Sequence, residues 1–180
     1  MTLPKRDAPF WVFAYGSLMW RPGFPHVDSR PAVLHGYHRA LCVYSTRYRG
    51  TPERPGLVLG LDRGGSCRGR VMRVSGEDAG HVIAYLNERE MVNRVYTPRT
   101  LGVRLDDGRR VRAYAFTVRR DHAQYAGKLP LERAADVVRL GHGPRGSSLE
   151  YLENTVAHLD ELGITGGPLH RILELAKRRA

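Results

Sequence analysis

The hydrophobic positions in the first part of the chain come in short runs. Phe10 to Tyr15 is aromatic and β-branched and stops at Gly16 and Ser17, which reads as a buried strand closed by a turn. Ala32 to Tyr44 is a second strand-rich stretch, with Gly36 as a bend. Thr46 to Gly56 carries two glycines, two prolines and three arginines and reads as a loop. Leu57 to Leu61 and Arg68 to Val74 are expected as a strand pair around a glycine-rich turn, Asp62 to Ser66.

The period then changes. Ser75 can cap a helix that begins near Glu77 and runs to about Met91, with Ala79, Val82, Ile83 and Leu86 on one stripe. Val95 to Leu105 and Arg110 to Val118 predict a hairpin joined by Asp106, Asp107 and Gly108. The rest is helical: Leu131 to Leu140, Ser147 to Leu162 and Leu169 to Ala176. No repeat, low-complexity tract or domain boundary is visible. Strands around one helix, with more helices at the end, suggest a single α+β domain spanning residues 1–180.

Composition narrows the function classes. The chain has 180 residues and a formal net charge of +11, which invites a nucleic-acid reading. Its basic residues are dispersed, however. The densest groups are Arg109, Arg110 and Arg112; Arg119 and Arg120; and Lys177 to Arg179. None is a run of five or more, and no zinc-finger or RNA-binding signature is present, so no nucleic-acid partner is expected. No stretch approaches the roughly 20 apolar residues of a membrane span. Met1 to Phe10 lacks the apolar core of a secretory leader. The expectation is a cytoplasmic chain in which Cys42 and Cys67 are ordinary reduced thiols.

Two places could carry chemistry. Glu90 falls in the apolar stripe of the helix, seven after Ile83 and four after Leu86, whereas Glu88 lies on roughly the opposite side. A core-facing carboxylate must be paired, or its pKa rises until it serves as a general acid or base. Both readings are open on spacing alone. The second place is Tyr15 to Leu18, where a glycine turn after a buried strand can aim several backbone N–H groups at one anion or oxyanion. A plain structural turn explains it equally well. The eight histidines form no HExxH pattern and no close pair with a cysteine, so no metal site is expected.

Taken together, four motifs resemble the ChaC family of γ-glutamylcyclotransferases, in its glutathione-specific branch. They are WVFAYGSLMW at residues 11–20; Tyr37 to Arg39 through Ser45 and Thr46 to Arg49 and Gly50; Tyr85 to Glu90 with Tyr96; and Gly143 to Ser147 through Glu150 to Leu152. The resemblance implies a γ-glutamylcyclotransferase-like mixed β-barrel with flanking helices. It implies an enzyme that splits glutathione into 5-oxoproline and Cys-Gly by attack of the substrate's own α-amine on its γ-amide carbonyl, with no metal or cofactor.

By the same resemblance, Glu90 handles the proton and Tyr15, Gly16, Ser17 and Leu18 hold the γ-glutamyl end. Ser45, Arg49, Tyr96 and Tyr151 match positions that border the substrate. The sequence departs from some relatives after Glu90. Met91 to Val95 stands where a shorter Gly-Gly link precedes the tyrosine, which bears on the pocket wall and the substrate range. The competing readings are a cyclotransferase acting on other γ-glutamyl-amino acids or γ-glutamylamines, and a non-catalytic basic binding module.

Overall fold

A computed structural model of the chain describes residues 4–5 and 7–178. Met1 to Leu3 and Arg6, in the segment read for a leader, and Arg179 of the basic tail lie outside the described residues. The chain forms two compact units, each built from two segments: residues 1–39 with 61–119, and residues 40–60 with 120–180.

The first unit carries most of a closed five-stranded barrel in the order β1-β3-β2-β4-β5; residues 40–45 of β2 and 56–60 of β3 belong to the second. The barrel strands are β1 (Phe10–Ala14), β2 (Asp28–Ser45), β3 (Gly56–Val74), β4 (Tyr96–Leu105) and β5 (Arg110–Val118). The barrel is mixed. β1 runs antiparallel to β3, with Phe10 opposite Val74, and parallel to β5, with Trp11 opposite Ala113. The expected hairpin is present as β4 and β5, turned by Asp106 to Gly108 with Gly108 at φ +86°.

The expected turn at Asp62 to Ser66 is not there. β3 runs without a break from Gly56 to Val74. Gly64 and Gly65, at φ +99° and +69°, supply left-handed backbone inside the strand. Such glycines bend a strand where they were expected to reverse it. Partners on β2 hold this stretch: the His38 ring contacts the Gly64 carbonyl at 3.0 Å, and His35 contacts the Ser66 hydroxyl at 3.1 Å.

The helix of the first unit, α1 (Ala79–Glu90), starts two residues later than expected. Ser75 caps the turn before it, accepting from the Asp78 N–H at 3.2 Å and donating to the Asp78 carboxylate at 2.7 Å. Ala79, Val82 and Leu86 are fully buried, as the stripe requires. They pack with Phe10, Val12 and Ala14 of β1, Met72 and Val74 of β3, and Tyr114 and Phe116 of β5. The Tyr114 hydroxyl donates to the Asn87 side chain at 2.8 Å and fixes α1 against β5. Burial pushes the Tyr114 phenol above its ordinary value.

The second unit holds α2 (Leu131–Leu140), α3 (Ser148–Glu161) and α4 (Pro168–Arg178), with short strands β6 (His142–Gly143) and β7 (Gly146–Ser147) before α3. Ser147 caps α3, accepting from the Glu150 N–H at 3.0 Å. The hydroxyl of the next residue, Ser148, is fully buried. It accepts from the Leu57 N–H at 2.9 Å and donates to the Leu57 carbonyl at 2.8 Å. Ser148→Ala leaves both backbone groups unpaired, so it should lower stability by about 2 kcal/mol. Thermal denaturation checks this, and an unchanged Tm would show that the two groups find other partners.

Candidate functional site

In the first unit the chain leaves β1 at Tyr15 and folds at once into a single 3-10 turn, Ser17–Met19, capped by Gly16. Tyr15 is buried and its hydroxyl donates to the Phe116 carbonyl at 3.0 Å, which anchors the start of the turn. The Tyr15 carbonyl accepts from Arg39 Nε, and Arg39 Nη2 donates to the Arg68 carbonyl at 2.7 Å. Leu18 is buried in the hydrophobic cluster beneath α1. Met19 N–H donates to the Gly16 carbonyl at 2.8 Å and Arg21 N–H to the Ser17 carbonyl at 2.8 Å. The first N–H groups of such a turn have no partner within it, which is what an anion-binding turn needs.

Glu90 is the last residue of α1. The structure separates the two carboxylates as the wheel requires: Glu88 is exposed, whereas the Glu90 side chain is only 19% accessible. Arg89 joins Glu90 to the turn. Its Nε lies 3.3 Å from Glu90 Oε1, and its Nη2 donates to the Ser17 hydroxyl at 2.9 Å. Sequence reasoning missed Arg89. It lies inside the Tyr85 to Glu90 motif without a role there, and between two carboxylates a guanidinium reads as an ordinary surface charge.

Beyond Glu90 the link to β4 turns through Arg94, which adopts φ +54°, an uncommon conformation for a residue with a side chain. Arg119 N–H holds this link by donating to the Val95 carbonyl at 2.8 Å. Tyr96 opens β4 opposite Val118 and packs on the cluster under α1. The structure therefore brings Tyr15, Gly16, Ser17, Leu18, Glu90 and Tyr96 into one unit, on the turn after β1, the end of α1 and the start of β4.

Ser45, Arg49 and Tyr151 come together in the second unit. Ser45 is buried and its hydroxyl accepts from the Arg49 N–H at 3.0 Å. The Arg49 guanidinium lies over the Tyr151 ring, 5.7 Å from its centre, and reaches the Ser147 carbonyl and the Glu150 carboxylate, both at 3.3 Å. The Tyr151 hydroxyl accepts from the Leu59 N–H at 3.3 Å. The neighbouring Tyr48 carries the Arg145 guanidinium over its ring at 4.0 Å. Sequence reading placed Glu150 and Arg145 in a motif without giving either a role.

Cys42 and Cys67 are buried and are not disulfide-bonded. Burial pushes the Cys67 thiol up, so it stays protonated near neutrality and is no nucleophile. Among the described residues no three His, Cys, Asp or Glu side chains are grouped to hold a metal ion, and no helix is long and apolar enough to cross a membrane.

The profile of the ChaC-like protein family matches residues 10–179. The chain belongs to the ChaC-like family. It is 34% identical over 172 residues to the glutathione-specific γ-glutamylcyclotransferase of Escherichia coli, covering 96% of this chain and 74% of that protein. It is also 34% identical to the human glutathione-specific γ-glutamylcyclotransferase 1, over 83% of this chain and 70% of the human one. Among solved structures it matches the yeast γ-glutamyl cyclotransferase specific to glutathione, with a TM-score of 0.87, 25% identity, and coverage of 96% and 97% of the two chains. This ChaC-like chain thus shares the mixed barrel and helices that its motifs led one to expect.

Proposed function

We propose that this ChaC-like protein cleaves reduced glutathione to 5-oxoproline and Cys-Gly, with Glu90 as its proton carrier. The nucleophile comes with the substrate. The α-amine nitrogen attacks the γ-carbonyl carbon and closes a five-membered ring. The C–N bond to the cysteine nitrogen then breaks. One proton moves from the attacking nitrogen to the leaving nitrogen, and no water is consumed. A free α-amine has a pKa of roughly 7.7–8.0, so a carboxylate held close to it suffices as the carrier. Holding the amine near the carbonyl supplies several kcal/mol more in orientation.

The observation that carries this reading is the bridge from Ser17 through Arg89 to Glu90. It joins the turn suited to an anionic oxygen of the glutamyl end to the carboxylate suited to the proton. Tyr96 is proposed as a further substrate contact in the first unit; Ser45, Arg49 and Tyr151, grouped in the second unit, are proposed as substrate-binding on the resemblance alone. The partner is a small anionic molecule, which the net charge of +11 attracts at long range, and no nucleic acid enters the reading. Its compartment is read as the cytoplasm, with which two cysteines outside any disulfide are consistent.

Side-by-side turnover of glutathione and γ-glutamyl-alanine tests the substrate class. A kcat/KM for glutathione at least tenfold the higher is expected. Preference for γ-glutamyl-alanine would assign the site to γ-glutamyl-amino acids generally.

A further inference from the structure

The Arg89 guanidinium carries its N–H donors in a rigid fork, and the structure directs them at one loop, the Tyr85 hydroxyl and one carboxylate. Nη1 donates to the Arg21 carbonyl at 2.7 Å, to the Tyr85 hydroxyl at 2.9 Å and, more weakly, to the Pro22 carbonyl at 3.3 Å. Nη2 takes the Ser17 hydroxyl and Nε faces Glu90. The loop is laid closely on the same helix face: a Cβ at Gly23, which has φ +71°, would stand 2.1 Å from the Tyr85 hydroxyl oxygen. Both ends of residues 17–22 are therefore held by one side chain from the last turn of α1. The Arg89 side chain is 19% accessible; its bonds to Ser17, Tyr85 and Pro22 are part-buried, and the one to Arg21 lies at the surface.

A mere surface arginine would pair with a carboxylate and little else. Arg89 pairs with Glu90 while it fixes a loop 72 positions earlier in the chain. We infer that Arg89 is the positioning residue of the site: it sets the distance between the Gly16–Ser17 turn and Glu90, and so the alignment of the substrate amine with its proton carrier. This inference rests on the roles proposed above for that turn and for Glu90. Lysine cannot replace Arg89, because a point charge reaches the Ser17 hydroxyl or the Arg21 carbonyl but not both in a fixed plane. Misplacement of a reacting pair by about 1 Å costs about 100-fold.

The test compares wild type, Arg89→Ala and Arg89→Lys by steady-state turnover of glutathione, with amide hydrogen exchange of residues 16–24 measured on each free protein. Expected for Arg89→Ala are a kcat about 100-fold lower, a KM changed far less, faster exchange in the loop, and partial recovery of kcat by guanidinium ion well below denaturing concentrations. Arg89→Lys should stay slow. An unchanged kcat overturns the inference. So does loss of kcat with no guanidinium recovery and a collapse in Tm, which marks Arg89 as structural only. A wild-type protein that turns over no γ-glutamyl compound overturns the functional reading itself, and the accelerated loop exchange in Arg89→Ala then stands apart as a purely structural tie.

Discussion

Glu90→Gln should lower kcat for glutathione about 1000-fold while leaving the fold and Tm nearly unchanged. The substitution keeps the size and planarity of the side chain and removes its basicity. About 4 kcal/mol of transition-state stabilisation is then lost, within the range that one positioned acid–base group contributes. Glu88→Gln is the matched control. Glu88 lies two positions away on the same helix, is exposed, and should retain wild-type turnover. If Glu90→Gln keeps a large share of activity, or Glu88→Gln loses it, the proton carrier is misassigned.

Gly50→Ala and Gly141→Ala should each cost about 2–3 kcal/mol and lower Tm by roughly 4–12 °C. In the second unit the loop before β3 and the segment before α3 meet backbone to backbone. A Cβ on Gly50 would lie 2.2 Å from the Gly56 nitrogen and 2.5 Å from the Ser45 carbonyl oxygen; one on Gly141 would lie 2.4 Å from the Gly56 Cα. These neighbours are main chain and cannot swing aside as a flexible side chain would. Gly102→Ala is the control, since a Cβ there meets nothing within 4 Å. Calorimetry or thermal denaturation reads all three, and equal Tm values for Gly50→Ala and Gly102→Ala would contradict the close approach.

What the sequence made legible follows from the range of the forces involved. The stripe of α1 placed Glu90 inward and Glu88 outward because helical geometry is local. The β4–β5 hairpin was readable for the same reason, its turn being written in three adjacent residues. The continuity of β3 was not. Gly64 and Gly65 carry the composition of a turn, and only the partner strand, through His35 and His38, decides that they bend a strand instead. The two compact units were also invisible, because two of the three divisions fall inside β2 and β3, where composition does not change, and the third falls just after β5.

The site divides in the same way. Tyr15 to Leu18 and Glu90 had a physical rationale in the sequence. Ser45, Arg49 and Tyr151 came only from resemblance, since contacts between Arg49 and residues about a hundred positions later leave no periodic trace. Arg89 was missed because its work lies in bonds to Ser17, Arg21 and Pro22, each roughly seventy positions away.

The central claim is that the substrate attacks itself, and an oxygen label tests it most directly. The protein is incubated with reduced glutathione in water enriched in oxygen-18, and the products are followed by mass spectrometry. Intramolecular attack predicts 5-oxoproline and Cys-Gly in equal amounts, with no label incorporated into the 5-oxoproline by the enzyme. Release of glutamate carrying a labelled oxygen would mean hydrolysis by water and would contradict the mechanism proposed for Glu90.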